Sequence, residues 1–313
     1  MKKMVCIILL VLLIEGCNGV NRGQLQTIGD ENYRTGSQGL YMSFVPYSPP
    51  DRIFDDENLR VRLELYNKGA EDITGSNNKI YLSGFDTSII TGIPTTGIAI
   101  PTIEGKKFYS PEGGFDSIEF SGLIRSLKTK NIDFYEPTIM VTACYKYATI
   151  AEPTICVDAD PFSVTLQRKV CDWRSVSMVG SQGAPVAITS VQIEAMPGKA
   201  RVKIWVQNVG GGDVLKEGAD VLDRCSPYDA TGLDYKQLDY VQVEDVSVGD
   251  TSITSSCRPL ENGALRLQSS GGGFMICEVD NLVGNAYTTP LRIKLTYNYR
   301  GIMTQPVKII QTP

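Results

Sequence analysis

The sequence predicts an all-β protein built from two similar sandwich domains. A repeated segment is the first observation: residues 61–72 read VRLELYNKGAED and residues 202–213 read VKIWVQNVGGGD. In both copies apolar residues occupy every second position, which is typical of a strand with one buried face. The second observation is composition, because 30 Gly, 16 Pro and 15 Tyr in 313 residues favour turn-rich sheets over helices.

Each repeated strand ends in an Asn-x-Gly turn. The residues are Asn67 and Gly69 in the first copy, and Asn208 and Gly210 in the second. Asn and Gly tolerate the left-handed backbone conformation that tight turns use. We therefore predict matching structural turns, with a positive φ at Gly69.

The predicted organisation has four segments. Residues 1–17 form a signal peptide, residues 18–39 a flexible tether, residues 40–180 the first sandwich and residues 181–313 the second. Lys2 and Lys3 precede a short apolar run that ends at Gly16-Cys17, which is similar to a lipoprotein cleavage site with Cys17 as the lipidated residue. Glu15 departs from that pattern, so a plain secretory signal and an uncleaved anchor are the alternatives.

Six cysteines remain after the signal and its cleavage site, and they predict disulfides in an exported chain. They are Cys144, Cys156, Cys171, Cys225, Cys257 and Cys277. A hairpin that turns near Ile150 places Cys144 and Cys156 on one outer face, so we expect these two to pair. Cys257 with Cys277, and Cys171 with Cys225, complete this scheme.

Tyrosine pairs close both domains at matching places. Tyr145 and Tyr147 continue the apolar face of one strand, as Tyr297 and Tyr299 do in the other copy. A platform for stacking sugars is one interpretation of such pairs, but their parity favours core tyrosines with hydrogen-bonded hydroxyls.

The sequence offers little for catalysis, cofactors or metals. The chain has no histidine, the commonest general base, and no CxxC pair for zinc. The acidic turn at residues 51–58 lacks calcium-loop spacing, and the glycine runs lack the continuation of a phosphate-binding loop. We therefore expect no catalytic residues, no cofactor and no metal. A net charge of -5 argues against a nucleic-acid partner.

The segment Val-x-Leu-x-Leu-x-Asn-x-Gly-x-x-Asp at residues 61–72, with its variant at residues 202–213, resembles immunoglobulin-like modules of the CARDB type. The whole chain is similar to uncharacterised archaeal exported proteins. This resemblance implies tandem immunoglobulin-like β-sandwiches with adhesion or interaction roles, and it carries no catalytic residues.

The expected function follows from these observations. It is an exported surface protein, tethered to the outer face of the cell membrane through its N-terminus, with a non-catalytic binding, adhesion or structural role and a protein or glycan partner. One alternative is a carboxylate-dependent hydrolase of the cell envelope. Another is a subunit that accepts a partner's strand, although Pro46, Pro49 and Pro50 argue against that for the first domain.

Overall fold

The computed structural model describes residues 33–163, 169–173 and 181–313, and its secondary structure is predominantly β. The strands are β1 Leu40–Phe44, β2 Arg52–Phe54, β3 Asn58–Asn67, β4 Lys79–Ser83, β5 Ile90–Thr91, β6 Ile98–Ala99, β7 Phe115–Ile124, β8 Phe134–Tyr135, β9 Thr138–Ala151, β10 Thr154–Val157, β11 Val186–Met196, β12 Lys199–Asn208, β13 Asp213–Leu215, β14 Tyr240–Val248, β15 Thr251–Ser252, β16 Ala264–Arg266, β17 Gly272–Val279, β18 Tyr287–Pro306 and β19 Lys308–Ile310. Within the described residues, one short α-helix, α1, spans Ala219–Arg224, and three 3₁₀ turns span Leu127–Lys130, Tyr235–Gln237 and Thr254–Ser256. The predicted all-β class is confirmed.

The predicted signal peptide and tether lie at or beyond the N-terminal limit of the described residues, which begin at residue 33. The signal peptide, Cys17 and most of the tether lie outside the described residues. Residues 33–39 were predicted as tether, but they pack against the fold, and Arg34 forms an ion pair of 2.7 Å with Glu71. The packed chain therefore starts earlier than residue 40.

A nine-stranded central sheet joins the two repeats. Its longest pairing runs antiparallel between β9 and β18, over the 14 residues of β9. Tyr145 lies opposite Tyr299, and Tyr147 lies opposite Tyr297. Because equivalent strands of the two repeats pair with each other, a local two-fold axis passes near the pair Lys146 and Asn298. Residues 33–313 form one compact unit, in which the repeats predicted on either side of residue 180 share this sheet.

Two smaller sheets cover one face of the central sheet. The N-terminal half contributes β1-β3-β7-β5 and the C-terminal half contributes β11-β12-β17, and we use these names for residues 33–163 and 181–313. Alternate residues of β3 and β12 point inward, as the sequence predicts: Leu63 and Leu65 in one and Val202 and Ile204 in the other are at most 1% exposed. A third small sheet, β2-β19-β8, brings the last strand of the chain back to the N-terminal half.

The opposite face of the central sheet carries a second, smaller core. Cys144, on β9, packs there with Tyr81, Leu215, Val221 and Cys225 beneath helix α1. A disulfide joins Cys144 to Cys225 and so links the two halves covalently.

The predicted pairing of Cys144 with Cys156 is wrong. Strand β10 does not fold back on β9 but continues in the same register along β18, with Cys156 opposite Thr288. The two cysteines are therefore separated by twelve residues of nearly extended chain, about 40 Å. Cys156 pairs with Cys171 instead, so the predicted Cys171–Cys225 bond is wrong too, whereas the predicted Cys257–Cys277 bond is confirmed.

Candidate functional site

The four repeated tyrosines belong to the core and not to a binding platform. Tyr145, Tyr147, Tyr297 and Tyr299 are 0–4% exposed. Burial raises the pKa of each hydroxyl, to about 12 at Tyr299, so all four stay protonated at neutral pH. This confirms the predicted core role and removes these residues as a surface for sugars.

The tyrosine hydroxyls hold the Asn-x-Gly turns in both halves. Tyr147 donates to Asn67 Oδ1 at 3.2 Å and accepts the N–H of Glu71. Tyr299 donates to Asn208 Oδ1, also at 3.2 Å, and accepts the N–H of Gly212 at 2.7 Å. The repeated turn and the repeated tyrosine pair are therefore one hydrogen-bonded unit, which the sequence shows only as two separate motifs.

The predicted positive φ at Gly69 is wrong, because neither Gly69 nor Gly210 adopts one. Glycine is needed there for close approach. A Cβ atom on Gly69 would lie 2.6 Å from the carbonyl oxygen of Gly183 and 2.7 Å from that of Gln38, besides overlapping the Tyr147 hydroxyl. On Gly210 it would lie 2.4 Å from Pro185 Cβ and 2.6 Å from the Tyr299 hydroxyl.

Exposed aromatic side chains form a row across the outer face of the N-terminal half. Tyr41 on β1 lies opposite Tyr66 on β3, and Tyr66 lies opposite Phe115 on β7. The ring centroids are 6.3 Å apart in the first pair and 5.4 Å apart in the second. Phe115 is 63% exposed and Tyr41 is 42% exposed. We call these three residues the aromatic row.

The central ring of the aromatic row has little free face. Phe115 stacks on Tyr66 with an interplanar angle of 29°, and Lys68 Nζ lies 5.1 Å from the Tyr66 centroid. The Tyr66 hydroxyl donates to Glu64 Oε2 at 3.0 Å. The row therefore offers ring edges and apolar surface, flanked by charged groups that are already paired.

Large exposed aromatics continue beyond the aromatic row in the same half. Tyr109 is 76% exposed and Phe108 is 54% exposed, in the loop that precedes β7. The matching outer face of the C-terminal half carries a smaller pair, Trp205 and Phe274, with centroids 4.9 Å apart and Lys203 Nζ within 4.4 Å of both. Trp205 lies between Ile204 and Val206, which are at most 1% exposed, so the alternation of β12 places its side chain on this outer face.

A cavity of about 330 Å³, whose lining includes Lys146 and Asn298, lies beside the local two-fold axis. Lys146 Nζ contacts Glu217 Oε1 at 2.5 Å in its wall, and Thr296 also donates to Glu217. Burial raises the pKa of Glu217, but these hydrogen bonds outweigh it and hold the pKa below its usual range. Glu217 is therefore an ionised, paired carboxylate.

A second cavity, of about 530 Å³, lies on the outer face of the C-terminal half. Its lining includes Glu194 and Glu278, and Arg201 lies between them at 3.9 Å from one carboxylate and 3.2 Å from the other. The two carboxylates thus share a cation rather than facing an open space.

Metal-binding clusters and membrane-spanning helices are the remaining candidate features of residues 33–163, 169–173 and 181–313. There, no three His, Cys, Asp or Glu side chains come together in a way that could hold a metal ion. Among the same residues, no helix has the length and apolar character needed to cross a membrane.

Comparison with known proteins places the chain in no family. No protein-family model and no curated protein matches it. Among solved structures, a secreted serine protease, VesC from Vibrio cholerae, aligns at 11% identity with a TM-score of 0.20. The alignment covers 88% of this chain and 52% of the protease, so the chain spans about half the length of that protein. At this TM-score the similarity carries no argument about fold or activity.

Proposed function

We propose that this is an exported surface protein, tethered to the membrane at Cys17, that binds a protein partner through the aromatic row. The observation that carries the proposal is the row itself: three aromatic side chains aligned across three strands on an outer face. Tyrosine and other aromatic residues are enriched in the centres of protein interfaces, where they supply much of the binding energy. Phe108 and Tyr109, in the loop that precedes β7, add further exposed aromatic area to the same half.

The geometry of the rings favours a protein over a glycan. A sugar stacks on the open face of an aromatic ring, whereas Tyr66 has one neighbour stacked on it and a lysine over it. Ring edges and apolar surface suit the side chains of a protein partner. Adhesion, the role implied by the resemblance to CARDB-type modules, agrees with this preference.

Export is supported by the cysteines. Three disulfides use all six cysteines of the described chain. Disulfides of this kind persist in oxidising compartments outside the cytosol. The tethering residue, Cys17, lies outside the described residues, and its lipidation is part of the proposal.

Hydrolysis by a carboxylate pair is less well supported. A glycosidase needs one carboxyl group with a raised pKa, positioned across an open space from a second carboxylate. Glu217 has a lowered pKa, and Glu194 and Glu278 both contact Arg201. These arrangements favour structural ion pairs over acid catalysis.

The test compares matched surface variants of the two outer faces. Membranes are treated with a crosslinker, and the proteins joined to the parent are compared with those joined to a Tyr66→Ser/Phe115→Ser variant. The same comparison with Trp205→Ser/Phe274→Ser is the control. We expect a specific crosslinked protein to be lost from the first variant and retained by the control.

Retention of every crosslinked protein by the Tyr66→Ser/Phe115→Ser variant, at unchanged melting temperature, would contradict the proposal. Binding of that variant and the parent to the same immobilised glycans would also contradict it, since the aromatic row would then be unnecessary.

A further inference from the structure

A cleft with about 250 Å³ of space lies between the edge of β1, the turn at residues 210–212 and the end of β18. Each side chain in its lining is uncharged. Leu40, Met42 and Gly301 are among the residues that line it. Tyr41 also lines the cleft, so the cleft is continuous with the aromatic row.

The local two-fold symmetry shows what fills the equivalent place in the other half. Leu40 and Val186 are equivalent, because each donates its N–H to the first tyrosine of a pair, Tyr145 or Tyr297. By the same reasoning Ile188 corresponds to Met42. The shared turns make Ala70 the counterpart of Gly211, and the shared tyrosines make Thr149 the counterpart of Gly301.

The chain that leads into β11 satisfies the backbone in that equivalent place. Gly183 accepts the N–H of Ala70 at 2.7 Å. The side-chain amide of Gln182 accepts the N–H of Ile188 at 2.8 Å and donates to its carbonyl oxygen at 3.1 Å. Ala70 and Ile188 are consequently at most 1% exposed.

A side chain from the central sheet completes that arrangement. Thr149 Oγ1 donates to the carbonyl oxygen of Val186 at 2.7 Å. Val186 also donates its N–H to Tyr297, so both of its backbone groups are bonded.

The corresponding backbone groups at the cleft are open. Residues of an antiparallel strand direct their N–H and C=O alternately toward and away from the neighbouring strand. Since Leu40 donates to Tyr145, Leu40 and Met42 point away from β3 and toward the cleft. Within the described residues, the N–H and C=O of Met42, the C=O of Leu40 and the N–H of Gly211 have no hydrogen-bond partner.

Two sequence differences explain the opening. Gly301 has no side chain where Thr149 has a hydroxyl, and the chain before β1 leaves in another direction. That chain turns away at Gly36, which has a φ of +95°, and Lys106 binds the carbonyl oxygen of Thr35 at 3.2 Å. Gln38 and Gly39 line the cleft, but within the described residues they make no bond to Met42 or Gly211 like those of Gln182 and Gly183 to Ile188 and Ala70.

We propose that the cleft binds an extended, uncharged peptide segment with small side chains, supplied by another protein. Such a segment offers a carbonyl oxygen to Gly211 and main-chain groups to Met42 and Leu40, adding a strand to the open edge of β1. In the other half the carbonyl oxygen of Gly183 makes the equivalent bond to Ala70, and the side-chain amide of Gln182 stands in for the main-chain groups at Ile188, so an uncharged segment fits this place. Unlike the proposed interface at the aromatic row, the cleft recognises main-chain groups, so one site can fail while the other stands.

The probe is a peptide with the sequence of residues 180–186, Gly-Ser-Gln-Gly-Ala-Pro-Val, with both ends blocked. Its binding to the full chain is followed through the backbone amide signals of Met42 and Gly211. We expect both signals to shift in the parent. A peptide carrying Gln182→Asp and Ala184→Asp should leave them unchanged, because the cleft offers no cation for the added charges.

Gly301→Thr tests the site directly. A Cβ there contacts only Met42 Cε, at 3.6 Å, so a threonine side chain fits. Its hydroxyl can donate a hydrogen bond to the carbonyl oxygen of Leu40, which is then no longer available to the peptide. We expect peptide affinity to fall about tenfold. Gly272→Thr, another glycine with open space in a strand, is the control and should bind as the parent does.

Three outcomes would overturn the proposal. The first is the absence of any shift at millimolar peptide, and the second is equal binding by Gly301→Thr and the parent. The third is slow hydrogen exchange at Met42 and Gly211 before peptide is added, since the cleft would then be filled by the chain itself or by a second copy. A Tyr66→Ser/Phe115→Ser variant should still bind the peptide, which separates this result from the test of the aromatic row.

Discussion

Asn67 and Asn208 end equivalent strands, but only one of them is sealed from solvent. Each accepts a tyrosine hydroxyl and the N–H of the glycine two residues later, and each donates to the carbonyl oxygen four residues later. Asn67 also donates to the carbonyl oxygen of Ile103 at 3.1 Å and is fully buried. Asn208 lacks this fourth bond, and Gly211 beside it is exposed.

The difference teaches that the repeated unit is structural, and both proposed binding sites lie where the halves depart from the repeat. Both halves need the turn to hold the end of a strand. Among the described residues, the cleft lies at the C-terminal turn and not at the N-terminal one, and the aromatic row lies on the N-terminal outer face. Comparing equivalent positions of the two halves thus identifies the backbone groups that are hydrogen-bonded in one half and open in the other.

The largest expected effect comes from Gly69→Val. The added carbons would collide with the carbonyl oxygens of Gly183 and Gln38, which belong to the backbone and cannot rotate away. We expect a loss of at least about 4 kcal/mol in the free energy of unfolding. Urea denaturation measures it.

Gly210→Val is the matched comparison for Gly69→Val. Its closest contacts are side-chain atoms of Pro185 and Tyr299, so we expect a smaller loss, about 2 kcal/mol. Equal losses at the two glycines would contradict the difference between the turns, because they would mean that both turns are equally buried.

Asn67→Ala should come next. It removes four hydrogen bonds at a fully buried position and leaves the N–H of Gly69 and the carbonyl oxygen of Glu71 without this partner, whereas the carbonyl oxygen of Ile103 keeps the N–H of Ile73. We expect a loss of about 3 kcal/mol, against about 1 kcal/mol for Asn208→Ala, where water can replace the amide. Thermal unfolding of the two variants, side by side, would reveal any reversal of that order.

The smallest expected effect is the loss of stability in acid that comes from Asp55, a residue of the N-terminal half. Asp55 is 3% exposed and accepts hydrogen bonds from Leu127 at 2.6 Å and from the backbone of Thr312 at 2.8 Å. Burial raises its pKa, but the hydrogen bonds from Thr312, Leu127 and Ser126 outweigh burial and lower it to about 2.

A lowered folded-state pKa means that the ionised carboxylate stabilises the fold above its unfolded pKa of 3.8, and that this stability is lost as pH falls toward about 2. We expect the urea midpoint of the parent to drop between pH 4 and pH 2, and that of Asp55→Asn to drop less. Parallel pH profiles would show that Asp55 is not responsible.

Sequence patterns predicted the strands well because burial acts on each strand locally. The alternation in β3, β12, β9 and β18 follows directly from one face being buried. The same parity placed the four tyrosines in the core. It could not show that β9 and β18 pair with each other, since period-two patterning carries no information about which strands are neighbours.

The cysteine scheme failed for a related reason. A hairpin near Ile150 was inferred from apolar runs on both sides, whereas the chain passes Pro153 without reversing and continues along β18. One signal for the cleft does exist in the sequence. Ser37-Gln38-Gly39 recurs as Ser181-Gln182-Gly183, followed by two extra residues before the strand, and those extra residues let the second copy reach the turn at Ala70.

The return of β19 to the N-terminal half sets an order on how the chain can fold. Residues 308–310 pair with β2, and Thr312 binds Asp55, although nearly the whole described chain separates them. Domains usually fold in turn as they emerge during synthesis, the first before the second. Here the first half lacks a strand until the last residues are available, so its completion must wait for the second half. We therefore expect residues 33–313 to acquire their structure together, as a single cooperative unit.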